Sequence, residues 1–338
     1  MTIERWLSRR MFCKEVALIA GSVGAAPLLM GAKFKPTVIK TAHLNTTDHP
    51  VHLRAVRFKE LVESATEGTV KVEIFPAGQL APNENEQIQG VRLGTLQMCE
   101  LGAPGMGVFV ADYQAMAVPY IWRDMDHLRK VTRGEIGAAL SQQAVEKIGV
   151  RVLDGAGLYG DRHLTTKNKV IRVPDDLKGV KIRVPEAPMY LETIRSLGAS
   201  TVAVATAEIY TALATGVADG QENPAVSILT WKLYEVQKHV MLSGHMTQNN
   251  LFVINESFWK GLEPGLQDVL RKAAWESGDY ETELALQRNQ QALSELKAKG
   301  MEIHEVDLEA FKKVTSVVPI KFADKWSPGL VDKIRAVK

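Results

Sequence analysis

Residues 174–185 read PDDLKGVKIRVP. In Val180-Lys181-Ile182-Arg183-Val184 apolar side chains alternate with basic ones, which is the period of a strand with one face buried and the other turned to solvent or a cleft. Pro185 ends that strand, and Pro174-Asp175-Asp176-Leu177-Lys178-Gly179 before it is a proline-started turn closed by glycine. Arg183 therefore falls near the carboxyl end of a short strand, where open α/β sheets bind ligands. A guanidinium suits a carboxylate there. Its planar fork makes two parallel charge-assisted hydrogen bonds, and it keeps its proton on burial. A second arginine, Arg162, lies upstream where the folded chain could aim both at one anion. Taken alone, an arginine on an exposed strand face reads as a solvated surface residue or half of a structural ion pair.

Composition frames this stretch. A chain of 338 residues, 46% hydrophobic and 24% charged, can bury a sizeable core, and its length suggests two domains of an ordinary α/β protein. The net charge of +2 resides in residues 1–32, where Arg5, Arg9, Arg10 and Lys14 oppose Glu4 and Glu15. The remainder balances at zero, so nothing in it asks for nucleic acid as a partner. Residues 1–32 read as an export signal: Ser8-Arg9-Arg10-Met11-Phe12-Cys13-Lys14 is similar to the twin-arginine (Tat) motif, followed by a weakly apolar run from Val16 to Met30. Gly21, Gly24 and Pro27 interrupt that run, which falls short of the roughly 20 apolar residues of a membrane span. Cleavage near Ala32 would leave Cys99 as the only cysteine, so the periplasmic chain must hold together without an internal disulfide.

Working along the chain, Val38 to Leu44 is a first strand, Asn45 to His52 a loop facing the cleft, and Leu53 to Thr66 a helix. The Asp48-His49-Pro50-Val51-His52 cluster reads as a polar helix entry capped by Asp48 rather than a metal site, since no second cluster offers further ligands. His43 and Asn45 are candidate hydrogen-bonders to a ligand. Val70 to Phe75 alternates as a strand, Asn83 to Leu93 is a helix closed by Gly94, and a strand through Leu96 to Leu101 opens into Gly102-Ala103-Pro104-Gly105-Met106-Gly107. The spacing of that loop fits neither a dinucleotide fingerprint nor a P-loop, so Gly102 is expected to let backbone amides approach a ligand. Gly149 to Leu153 is a strand, after which the chain crosses at about Leu158 into the second domain. Gly198 to Ala205, Ala207 to Ala214 and Val217 to Asn223 supply a further strand, helix and strand. The chain recrosses near His245, with Gln248, Asn249 and Asn250 reaching the cleft mouth. From Pro264 to Lys299 leucines and alanines recur at helical spacing, a helix of over 50 Å at about 1.5 Å per residue, long enough to span two domains.

The pieces Gly160-Asp161-Arg162, Pro174 to Pro185, Leu197-Gly198-Ala199, Glu208-Ile209-Tyr210 and Asp219-Gly220-Gln221-Glu222-Asn223-Pro224, in this order and spacing, resemble the signature region of the extracytoplasmic solute-binding subunits of TRAP (tripartite ATP-independent periplasmic) transporters. This is the family of the C4-dicarboxylate and sialic-acid binders. Phe75-Pro76-Ala77-Gly78-Gln79-Leu80 upstream and Tyr234 to Lys238 downstream extend the likeness over essentially the whole mature chain. The resemblance implies a two-lobed α/β periplasmic-binding-protein fold of type II kind, with a central cleft and the long helix spanning both lobes. Lobe I would comprise residues 33–158 and 248–290, and lobe II residues 159–247 and 291–338. It implies that Arg183 holds a ligand carboxylate, that Arg162 supports it and that Asn223 adds a hydrogen bond. Glu186 and Thr206 stand where the sialate binder has an asparagine and a phenylalanine, which argues against sialic acid itself. A carboxylate at Glu186 suits a hydroxylated acid such as a uronate or other sugar acid.

The expected function is capture of a small organic anion, without cofactor or metal, by a monomer that delivers it to TRAP membrane subunits. A periplasmic enzyme using Glu208 or His245 as a base is the alternative, along with a sensing subunit on the same scaffold. No H-E-x-x-H, G-x-S-x-G or P-loop spacing supports the enzyme.

Overall fold

The computed structural model describes residues 34–338, and the export-signal reading lies outside them. Alternation builds the first strands as expected. In Thr37–Ala42 (β1) Ile39 and Thr41 are buried between exposed Val38 and Lys40, and in Val70–Phe75 (β2) Val70 and Val72 are buried between exposed Lys71 and Glu73. The two pair in parallel, Thr37 opposite Val70 and Ala42 opposite Phe75. Helix Pro50–Ala65 connects them and buries Phe58 edge-on against Phe252, ring centroids 4.8 Å apart. Its cap is His49, not Asp48. Pro50 occupies the first helical position, so the residue before it becomes the cap, and the His49 ring accepts from the Val51 N–H at 3.2 Å.

Met98–Gly102 (β3) lies parallel to β1 and is buried throughout. The glycine-rich run after it forms a helical turn, Ala103–Met106, instead of a loop, because Gly102 is extended as a cap and Pro104 suits a first turn. Two strands of 17 residues, Val150–Thr166 (β4) and His239–Asn255 (β8), then run antiparallel through the middle of the molecule. Between them in the chain come Lys181–Val184 (β5), Ser200–Ala203 (β6) and Gly220–Asn223 (β7), and Glu302–His304 (β9) follows the long helix. One sheet results, in the order β2-β1-β3-β8-β4-β7-β5-β6, with β9 on the early part of β8.

The strand expected over Gly149 to Leu153 runs on past the crossing near Leu158, and Gln248 and Asn250, expected at a cleft mouth, do line the cavity described below. Both segments lie inside the unbroken β4 and β8. Gly155, Gly157 and Gly160 do not end β4. They sit among its register shifts, at Val152/Asp154, Asp154/Gly157 and Leu158/Gly160, so the strand bends and continues. A side chain at Gly157 would put its Cβ 2.1 Å from the Glu281 carboxylate, so the glycine is what lets the long helix approach.

That helix, Pro264–Ala298, has 35 residues. Ala273 and Ala274 pack with Phe58, Phe252 and Ile254 on one half of the sheet, and Ala292 and Leu296 pack with Ile209, Ile228 and Val240 on the other. Its small residues give close approach at both ends, so one rigid rod seals two cores. No helix among the described residues is long and apolar enough to cross a membrane.

Candidate functional site

Where the two halves meet, a cleft opens, with about 730 Å³ of empty space that runs out into solvent. Its wall includes Arg183, Arg162, Asn223, Glu186, Thr206, Asn45, Gly102 and Asn250. The loop before helix Pro50–Ala65, the start of helix Glu84–Leu93, β3, β4, β5, β7 and β8 all reach it.

Arg183 points from β5 into this space and is 1% exposed. Its Nε donates to the Val204 carbonyl at 2.9 Å and Nη2 to the same oxygen at 2.5 Å. No carboxylate among the described residues lies within ion-pair distance of it. Burial pushes its pKa down to about 10, with Arg162 adding repulsion and Glu222 opposing both. Arg183 is thus a buried cation whose counter-charge the protein does not supply at contact distance, a costly state that an incoming anion relieves.

Arg162, on β4, is in the opposite condition. Its Nε and Nη2 clasp the Glu222 carboxylate, the latter at 2.7 Å, and Nη1 donates to Gln248 Oε1. The guanidinium lies over the Tyr190 ring, 4.7 Å from its centroid, and Tyr190 donates its hydroxyl to Gln248 at 2.8 Å. Burial works against the charge on Arg162, but Glu222 outweighs it and the pKa rises. Burial likewise pushes Glu222 up, while Arg162 and the His245 ring, 3.3 Å away, pull it below the usual range. The pair is neutral as a unit, so one of the two arginines carries an unanswered charge.

Asn223 follows Glu222 on β7, and its Nδ2 donates to Gln221 at 2.5 Å. Asn45 accepts from the Tyr159 hydroxyl at 3.1 Å. Asn250 donates to Glu100 and Glu281, each at 3.0 Å. Glu186 is exposed at the rim and Thr206 half-buried beside it. His43 does not line the cavity. It stands one layer back, accepting from the Asn45 N–H at 3.2 Å and touching His52 at 3.1 Å, with its pKa pushed down to about 3 by burial and then by His52. A neutral His43 orients Asn45. Neither Glu208 nor His245, the candidate bases, lines the cavity either.

Sequence reasoning missed Glu84. It opens helix Glu84–Leu93 after the capping Asn83, where a carboxylate reads as an ordinary partner for the helix amino end. In the structure it lines the cavity and accepts from the Gly102 N–H at 2.7 Å. Burial raises its pKa, against pulls from Gly102, Arg162 and Arg183. Gly105 makes room for it: a Cβ there would lie 2.2 Å from Glu84 Oε2. Tyr159 and Tyr190 were also missed, since an aromatic in a strand or amphipathic helix reads as core until its hydroxyl is seen to have a task.

Glu100, which also lines the cavity, belongs to a second charge cluster. Arg54 Nη1 is 2.9 Å from Glu281 and 3.4 Å from Glu100, and Nη2 is 2.9 Å from Asp154, which also meets Arg133 Nε at 2.9 Å. Burial pushes the pKa of Glu100 up, and that of Glu281 further, with Arg54 opposing both. Two carboxylates so placed favour holding a proton between them.

Comparison with known proteins meets this geometry from the other side. The family model for bacterial extracellular solute-binding protein, family 7, matches residues 41–325. The C4-dicarboxylate-binding periplasmic protein DctP of Rhodobacter capsulatus is 32% identical over 329 residues, 95% of this chain and 96% of that one. Among solved structures, a TRAP periplasmic solute-binding protein of Roseobacter denitrificans with bound L-galactonate superposes with a TM-score of 0.82 at 32% identity, covering 90% of this chain and 99% of that one. One of Citrobacter koseri with bound D-glucuronate gives 0.83 at 29% identity, covering 89% and 99%. A two-lobed α/β fold, an anion-ready cavity at the junction and full-length kinship agree. This chain belongs to the family 7 extracellular solute-binding proteins, the subunits that capture solute for TRAP transporters.

Proposed function

We propose that the ligand is a hydroxylated monocarboxylate of the sugar-acid kind, an aldonate or a uronate. The observation that carries this reading is the charge balance of the cavity wall. Of the two arginines there, Arg162 is already met by a carboxylate and Arg183 is not, while Glu84, Glu100 and Glu186 line the same space. A single ligand carboxylate answers Arg183. A second would face like charge and lose hydration without return. Hydroxyls, by contrast, can donate to Glu84 and Glu186 and exchange hydrogen bonds with Asn45, Asn223 and Thr206. The relatives bound to L-galactonate and D-glucuronate support the same class, while the R. capsulatus C4-dicarboxylate binder represents the competing one. Calorimetric titration with D-glucuronate, L-galactonate and succinate should rank succinate weakest, by at least about tenfold. Succinate binding tightest would sink the reading.

Binding couples to closure because a solute touching Arg183 on one side and Asn45 or Glu84 on the other favours the state in which both contacts exist. Lobe I takes residues 33–158 and 248–290 in this reading, lobe II the remainder to 338, and a monomer presents the closed form to the membrane subunits. In this reading the chain binds its solute without turnover. Export through the Tat pathway follows from Arg9-Arg10. A variant carrying Arg9→Lys and Arg10→Lys should remain in the cytoplasm as precursor, and undiminished export would refute that route.

A further inference from the structure

In sequence His239 stands 65 positions from His304, and no metal-ligand spacing is legible. The parallel pairing of β9 with β8 changes that. It sets His239 opposite Glu302 and Met241 opposite His304. Side chains two apart on a strand share a face, so Glu302 and His304 point the same way and His239 joins them from the neighbouring strand. His239 Nδ1 lies 3.2 Å from His304 Nε2 and 3.3 Å from Glu302 Oε2, and the remaining edge, His304 Nε2 to Glu302 Oε2, is 3.6 Å.

That triangle has the size of one face of a coordination tetrahedron. Ligand atoms at about 2.0 to 2.2 Å from a zinc ion stand roughly 3.3 to 3.6 Å apart when the angles are tetrahedral. An ion could therefore be taken up with small side-chain adjustments and no change in the backbone. We infer that His239, Glu302 and His304 form a binding site for a divalent transition cation, zinc above all, with water completing the coordination. His239 is buried, His304 half-buried and Glu302 exposed, so the triangle opens outward where solvent can fill the fourth position. Lys238 holds the other carboxylate oxygen of Glu302 at 3.2 Å, which leaves Oε2 free to turn toward the ion. Burial lowers the pKa of His239, keeping its ring neutral, and the hydrogen bond from Lys238 lowers that of Glu302. Two imidazoles and one carboxylate select zinc, nickel or copper over magnesium and calcium, which prefer oxygen.

The ion would fasten β9, and with it the end of the long helix, to β8. Because the unfolded chain has no such triangle, binding adds to the stability of the folded one. The test uses tag-free protein stripped of metal. Zinc should raise the melting temperature at one equivalent while magnesium does not, and cobalt(II) should give the visible absorption of a four-coordinate ion. Glu302→Gln and His304→Gln should each weaken zinc binding at least tenfold and abolish the cobalt spectrum, with affinity for the organic acid unchanged. Glu302 is exposed, so its variant folds irrespective of His304. No zinc binding to wild-type protein, or a zinc effect that persists undiminished in both variants, would overturn the site.

Discussion

Arg183→Ala lowers the affinity for the organic acid by at least a hundredfold. Removing one partner of a buried charge pair costs about 3 to 5 kcal/mol, and each 1.4 kcal/mol is tenfold in affinity. The ligand-free protein should respond in the other direction. There the guanidinium is buried with only the Val204 carbonyl to meet it, so its loss leaves thermal stability unchanged or higher while the stabilisation normally gained from ligand disappears. Arg183→Lys keeps the charge but loses the fork and should fall between. Titration and thermal melts of all three proteins decide the matter. Near wild-type affinity for Arg183→Ala would remove this residue from its assigned place.

Arg54→Ala destabilises the fold by about 3 to 5 kcal/mol at neutral pH, since it leaves Glu100, Glu281 and Asp154 facing one another without the cation at their centre. The size of the loss depends on pH, with a definite sign. Glu100 and Glu281 have folded pKa values raised above the unfolded value of about 4.3. Such a group contributes fully below its unfolded pKa, and its contribution fades as pH rises through the folded one. Without Arg54 the folded values rise further, so acidification returns more stability to the variant than to the wild type. Urea unfolding at pH 7.5 and pH 5 should show the deficit shrinking at the lower pH. A deficit that is constant, or grows toward acid, contradicts a shared proton between these carboxylates.

Local rules made part of this molecule legible. Thr37–Ala42, Val70–Phe75, the helix from Asn83 to Gly94 and the long helix from Pro264 each carry their period and their ends in their own residues. Arg183 was readable for the same reason, as the polar position of an alternating strand stopped by Pro185. What escaped is what the chain assembles from afar. Glu222 neutralises Arg162 across 60 residues, and nothing near either announces it. Arg54, Glu100, Asp154 and Glu281 come from two helices and two strands, and each in isolation reads as a solvated charge. The length of β4 and β8 was hidden by their glycines, which propensity treats as breaks and the sheet uses as bends. The Asp48 cap failed by one residue because proline, not the carboxylate, decides where that helix begins.

The unbroken passage of β4 and β8 from one half of the sheet into the other governs how the molecule can move. There is no slack tether between the halves and nothing to swivel. Opening must be taken up as flexure of a two-stranded ribbon, concentrated at the irregularities around Asp154, Gly157 and Leu158/Gly160, with the 35-residue helix laid across it like a leaf spring. The closure proposed above would then be the short, elastic travel of a bent ribbon.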